Sequence, residues 1–180
     1  TCGKRFDNWL DTYDGVIDHK YVFSNMGYNL KPLDLQGAIG IEQLNKLDEI
    51  ELNRKNSKET IEKIFLENIP NIRTPKTLDK ADPCWFGTPF ICEEEGLKHR
   101  LVEYLEANKI QTRNYFAGNI LLQPGYSDIR NNYFPNAKTD FPNATYATTS
   151  TFFHGTSPTI SVKQMIYIRK MVKNFMSKFQ

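Results

Sequence analysis

Gly27-Tyr28-Asn29-Leu30-Lys31-Pro32-Leu33-Asp34-Leu35-Gln36-Gly37-Ala38 is the stretch on which the reading of this chain turns. Before it, residues 1–32 are rich in Asp, Asn, Tyr and Gly and keep no sustained period. They read as loop with short extended pieces that packs on something else. After it, a long helix is expected from Leu33 to about Leu66. Pro32 suits a helix entrance, and Asp34 places negative charge at the positive end of the helix dipole. Ala38, Ile41, Leu44, Leu47 and Ile50 recur at helical spacing, and Ile61, Ile64 and Phe65 form the inward positions of the charged second half. Gly37 and Gly40 weaken a helix, so they are expected to admit the close approach of another element.

Pro70 stops the helix, and the remainder of the chain reads as a compact α+β unit. Ile72 opens a short extended piece, and Trp85 to Cys92 reads as a strand. Leu97 to Asn108 is an amphipathic helix with Leu101, Val102 and Leu105 on one face, and Ile110 to Phe116 reads as a second long strand. Ala117 to about Asn143 is irregular, with its clearest turn at Gln123-Pro124-Gly125, and is longer than a compact domain tolerates without a reason. Thr148 to Phe153 reads as a third strand. Ser161 caps a final helix from Val162 to about Phe179.

Of the 180 residues, 39% are hydrophobic and 24% charged, which permits a real core and argues against disorder. The net charge of +2 demands no nucleic-acid partner. Lys163, Arg169, Lys170, Lys173 and Lys178 read as the solvated face of the last helix. No segment approaches the apolar run needed to cross a bilayer and no secretory signal opens the sequence. Three cysteines, an odd number in a chain this long, do not read as a disulfide framework, so a reducing cytoplasm is expected. Cys84 and Cys92 flank an apolar run and are expected to pack as small hydrophobes.

No nucleotide-binding glycine loop, zinc-protease helix, paired-cysteine motif or serine-nucleophile elbow occurs. His19, His99 and His154 are too scattered to imply a metal site, and His99 reads as plain surface. Two segments mix aromatics, amides, cations and glycines just outside regular structure. One is Asp18 to Lys31; the other is Thr112-Arg113-Asn114-Tyr115-Phe116-Ala117-Gly118-Asn119, leading to Gln123-Pro124. Such mixtures suit anionic, hydroxyl-rich ligands, because cations and amides bind phosphate while rings wall a pocket. Ordinary turn chemistry accounts for the same residues.

These residues also carry a resemblance. Gly27-Tyr28-Asn29 with Leu30-Lys31, then Asp34-Leu35-Gln36-Gly37-Ala38, resembles a signature of the DegT/DnrJ/EryC1/StrS family of vitamin B6-dependent sugar aminotransferases and dehydratases. Finer features are similar to its RfbH-like branch, the CDP-4-keto-6-deoxyglucose 3-dehydratases of lipopolysaccharide sugar synthesis. These are Thr1-Cys2-Gly3-Lys4-Arg5-Phe6, Asp18-His19-Lys20-Tyr21, Thr112-Arg113, Phe116-Ala117-Gly118-Asn119, and Thr151-Phe152 with Gly155 and Pro158. The chain departs from that branch at Asn143-Ala144-Thr145, in place of an asparagine-threonine-aspartate. It departs again at Phe152-Phe153-His154-Gly155, where a tryptophan and a valine usually stand third and second from the end of the motif.

The resemblance implies an α/β fold of the aspartate-aminotransferase type (fold type I), of which this chain is the C-terminal portion. Residues 1–32 would end the large cofactor domain, 33–68 form a long interdomain helix, and 69–180 form the small α+β domain. It implies pyridoxamine or pyridoxal 5′-phosphate as cofactor in a homodimer, with Asn29 and Tyr21 reaching the cofactor of the neighbouring subunit. Cys2 would be the last ligand of a [2Fe-2S] cluster whose other cysteines lie upstream, because such a cluster needs four ligands. The implied reaction is loss of the C3 hydroxyl from a nucleotide-linked 4-keto-6-deoxy sugar, with the cofactor as electron sink and a reductase as a further partner. Arg113 and Asn119 are the substrate-side candidates. The catalytic histidine, or the lysine of an aminotransferase, would lie upstream, so no cofactor and no turnover are expected for this chain alone. Two alternatives stand beside this reading: a sugar aminotransferase of the same family, and a non-catalytic binding or oligomerisation module derived from it.

Overall fold

The computed structural model describes residues 33–179. Tyr21, Asn29 and Cys2 lie outside the described residues. The chain divides into two compact units, residues 1–44 and 45–180. The described part of the first is helix α1, Asp34–Leu44, with Leu33 before it. Its start is tied by the Gln36 side chain, which accepts a hydrogen bond from the Leu33 backbone N–H at 2.9 Å. Gln36 thus answers one of the orphan donors at the helix entrance.

The single helix expected over 33–66 is two helices. A turn at Asn45 and Lys46 separates α1 from α2, Leu47–Asn68; Asn45 is a weak helix former at the break. The expected inward face of α1 is not buried among the described residues: Ile41 and Leu44 are exposed, as is Leu47 at the start of α2. No described atom comes within 4 Å of a Cβ built at Gly37 or Gly40, so the expected close approach is not made here.

In the second unit, β1 (Ile72–Arg73), β2 (Gly87–Cys92), α3 (Leu97–Ala107) and β3 (Thr112–Asn114) come first. α4 (Ser127–Tyr133), α5 (Ala137–Asp140), α6 (Pro142–Ser150), β4 (Thr151–Gly155) and α7 (Val162–Phe179) complete it. The sheet is wholly antiparallel in the order β1-β2-β4-β3, so the last strand of the chain lies inside the sheet. Ser161 and Gln164 cap α7 reciprocally. Ser161 Oγ accepts from the Gln164 N–H at 3.3 Å, and Gln164 Oε1 accepts from the Ser161 N–H at 2.8 Å.

The stretch expected to be irregular from 117 to 143 instead carries α4, α5 and the start of α6, and the expected third strand begins only at Thr151. These helices are short and rich in Asn, Thr and Asp, with no apolar stripe to announce them. Cys92 is buried, and burial pushes its thiol up to about 12. Cys84 is exposed, against expectation, because it precedes β2 by three residues and lies outside the strand.

The core forms where α2, α3 and α7 cover one face of the sheet. Phe65 of α2 stacks on Phe90 of β2 with ring centroids 4.4 Å apart, and Phe152 of β4 closes the group at 5.4 Å from Phe90. All three rings are fully buried, with Ile61, Ile64, Leu101, Leu105 and Val172 around them. Side chains alternate across a strand, so the positions paired with His154 share this covered face. The register places Thr88 and Thr112 on either side of His154, giving a buried polar row across three strands. His154 Nδ1 lies 2.7 Å from the Gly155 carbonyl oxygen. A carbonyl only accepts, so Nδ1 carries the proton. Burial lowers the pKa of the imidazole below its ordinary 6.5, outweighing that hydrogen bond, and His154 is neutral in the fold.

Phe65→Ala removes the ring that joins α2 to the sheet and is expected to cost about 3–5 kcal/mol in urea unfolding. Leu78→Ala, at a side chain 79% exposed, should stay within about 0.5 kcal/mol. For His154, the unfolded chain takes up a proton near 6.5 while the fold excludes it. Its contribution is therefore present above that pH and is lost as pH falls towards the lowered folded value, with a slope of up to about 1.4 kcal/mol per pH unit. His154→Val should flatten this part of the stability-versus-pH curve.

Candidate functional site

The second sequence segment of interest begins on edge strand β3, where pairing with β4 sets Arg113 opposite Phe153. Thr112 anchors the strand to α3: its N–H and its hydroxyl both donate to Glu106 Oε1, the hydroxyl at 2.8 Å. These two hydrogen bonds, helped by the positive charge of Arg113, hold the Glu106 carboxyl below its usual range. Glu106 is thus an anion whose Oε1 is already engaged. Among the described residues Arg113 itself makes no hydrogen bond or ion pair, so its guanidinium is exposed and available.

The chain then turns sharply. The Phe116 N–H donates to the Asn114 carbonyl at 2.7 Å, and Phe116 adopts a left-handed conformation with φ of 52°. That conformation is costly for a bulky residue and is found where the surroundings fix it. It sends a ring that is 69% exposed over the end of the sheet. Phe116 meets Phe86 with centroids 6.2 Å apart, and Phe86 meets Phe153 edge-on at 5.3 Å. Phe153 lies so close over β2 that a Cβ on Gly87 would sit 2.4 Å from its ring, so only glycine fits there. Beside these rings a depression of about 550 Å³ runs along the β3 edge, bordered by Glu106, Arg113, Asn114, Phe116 and Phe153. An exposed aromatic cluster next to a free guanidinium can pack on a ring and bind an anion at once.

Of the two substrate-side candidates, the structure separates Arg113 from Asn119. Asn119 is 3% exposed and fully engaged. Its amide nitrogen donates to the Ala137 carbonyl at 2.9 Å and to Thr145 Oγ1 at 3.1 Å, and its Oδ1 accepts from the Leu121 N–H at 3.2 Å. Its own N–H donates to Thr148 Oγ1 at 2.7 Å. Asn119 therefore clasps the loop to α5 and α6 and leaves no donor for a ligand. Gly118 beside it has φ of 59°, and a Cβ there would lie 2.8 Å from the Thr148 Cα. The pair fixes the loop that presents Phe116.

Phe86 belongs to the site although no sequence motif marks it, and Phe153 belongs to it although its motif, Phe152-Phe153-His154-Gly155, reads only as a departure from the family pattern. They come from β4 and the approach to β2, and only the strand pairing brings them to Phe116. Tyr21, Asn29 and Cys2 lie outside the described residues, and among the described residues no cluster of His, Cys, Asp and Glu could hold a metal ion. No helix among them is long and apolar enough to cross a membrane.

Asn119→Ala leaves the buried Ala137 carbonyl without its donor and is expected to cost about 1–3 kcal/mol. The same variant should raise proteolytic cleavage within 116–126 before global unfolding, since it releases the loop and not the core.

Comparison with known proteins identifies the fold and the family. Residues 12–173 match the profile of the DegT/DnrJ/EryC1/StrS aminotransferase family. The lipopolysaccharide biosynthesis protein RfbH of Salmonella typhimurium is 33% identical over 97% of this chain and 40% of its own length. The dTDP-4-dehydro-2,6-dideoxy-D-glucose 3-dehydratase of Saccharopolyspora spinosa is 34% identical over 99% of the chain and 38% of its own. Among solved structures, the Escherichia coli GDP-4-keto-6-deoxy-D-mannose-3-dehydratase with bound hydrated PLP superposes with a TM-score of 0.68. It is 27% identical over 89% of this chain and 40% of that one. The S. venezuelae DesV structure, at 21% identity and a TM-score of 0.72 over 87% of this chain and 40% of that one, shares the fold. The chain thus spans about two fifths of the length of these relatives and has part of the aspartate-aminotransferase-type fold. It belongs to the DegT/DnrJ/EryC1/StrS aminotransferase family.

Proposed function

We propose that this chain is the C-terminal part of a cytoplasmic, B6-dependent nucleotide-sugar 3-dehydratase in deoxysugar synthesis of the lipopolysaccharide kind. The observation that carries the reading is coverage: proteins named 3-dehydratases match 89% and 99% of the chain, not one short motif. In this reading residues 1–32 end the cofactor domain, 33–68 link, and 69–180 form the small domain of a homodimer.

The described residues do not by themselves form a cofactor cradle. Their depression offers one cation, Arg113, at an open edge. The cofactor contacts fall instead to Tyr21 and Asn29, and Cys2 would join an iron–sulfur cluster only with cysteines from upstream. No chemical step is therefore assigned to the described residues, and this chain alone should not turn over. Their contribution is on the substrate side. Arg113 is free to donate to the phosphate oxygens of a nucleotide-linked sugar. Phe86, Phe116 and Phe153 provide an apolar wall that excludes water, and Asn119 with Gly118 holds that wall in place.

The test is turnover of the whole protein that carries this chain, supplied with pyridoxamine phosphate, a reductase and nucleotide-linked 4-keto-6-deoxy sugars, with loss of water followed by mass spectrometry. Dehydration supports the reading; amino transfer to the sugar, or no reaction with any such substrate, overturns it. In the active protein Arg113→Ala should lower kcat/KM by about 10- to 100-fold, the worth of one charge-assisted hydrogen bond. Arg113→Lys should recover part of that loss.

A further inference from the structure

A second cleft, sharing no residue with the Arg113 depression, lies between the start of α7 and the ends of β3 and β4. Its volume is about 360 Å³, within the range of small-molecule sites. His154 lines it and is only 7% exposed, the exposed part facing this space. Because Nδ1 donates to the Gly155 carbonyl, Nε2 is a bare acceptor, and no described group donates to it. The Thr88 hydroxyl, opposite His154 in the strand register, is also buried without a partner. The cleft thus reaches the polar row at His154, whose Nε2 lone pair no described side chain or backbone group fills, while Thr88 lies behind it and does not line the cleft.

The walls define what could supply the missing donor. Ile110, Ile160 and Ile168 give an apolar lining, with Tyr167 beside them. The Tyr167 hydroxyl is engaged in donating to the Asn108 carbonyl at 3.0 Å, and Gln164 Oε1 is committed to the cap of α7. We propose that this cleft is a binding site for a small molecule with a hydroxyl or N–H donor on a compact apolar body, the donor bonding to His154 Nε2. The apolar body displaces water from the isoleucine walls, and the donor completes the coordination of the imidazole.

Phenol and anisole, alike in shape and differing in the O–H, are the probes. The 180-residue chain is titrated with each and followed by methyl, amide and imidazole-nitrogen NMR. Phenol is expected to shift the resonances of Ile160, Gln164 and Ile168 and the Nε2 signal of His154 together, with anisole at least about tenfold weaker. His154→Val should abolish the preference for phenol. Gln111→Trp, at an exposed position on the rim, should block the shifts without disturbing the core. Equal response to the two probes, no localised response to phenol, or phenol shifts that persist in Gln111→Trp would overturn the proposal.

Discussion

The alternation of side chains along β4 is the constraint on which the rest of this domain depends. The strand is enclosed by β2 and β3, so both of its edges are hydrogen-bonded and its register cannot slip without turning every side chain over. In the register observed, Phe152 faces the helices and completes the buried ring group with Phe65 and Phe90, while Phe153 takes the opposite face and joins Phe86 and Phe116. Two adjacent phenylalanines thus do opposite things. One is fully buried and contributes stability; the other is part of an aromatic cluster whose Phe86 and Phe116 are exposed. A slip of one residue would exchange them, burying the candidate site and exposing the core.

The same register explains why the site lies at an edge. Thr112, Arg113 and Asn114 are the whole of β3, and a strand of three residues is held weakly by its ladder alone. The two hydrogen bonds from Thr112 to Glu106 compensate, fastening the strand to α3 just before Arg113. Beyond Asn114 the loop is held by a different clasp, Gly118 and Asn119 against α6. Arg113 and Phe116 sit between two fixed points, which is how a short edge segment presents a cation and a strained aromatic ring in a defined geometry.

Much of this architecture is legible in the residues. The apolar stripes of α2 and α3 are strong enough that Ile61, Ile64, Phe65, Leu101 and Leu105 can be placed in the core from spacing alone. The cap at Ser161 is legible because Ser-x-x-Gln is a local device that needs no tertiary partner. The helices between 127 and 150 are not, since sequences such as Pro-Asn-Ala-Thr-Tyr-Ala-Thr-Thr-Ser have neither apolar period nor high propensity and are held by contacts from elsewhere. The break at Asn45 is hidden for a related reason: the apolar spacing runs through it unaltered.

The site is only half legible. Arg113 and Asn119 lie six residues apart in one motif-like segment, and their chemistry alone would place both on a ligand. Burial decides otherwise. An asparagine has two donors and an acceptor of its own, so it serves equally well to recognise a ligand or to pin a loop, and only the position of the Ala137 carbonyl and the Thr145 hydroxyl shows which. Arg113, at an exposed edge and with no hydrogen-bond partner among the described residues, shows no such structural task there. Among the described residues Glu106, Asn119 and Thr148 already have their hydrogen-bond partners, whereas the Arg113 guanidinium has none and lies beside exposed rings, which is what singles out this edge as the candidate site.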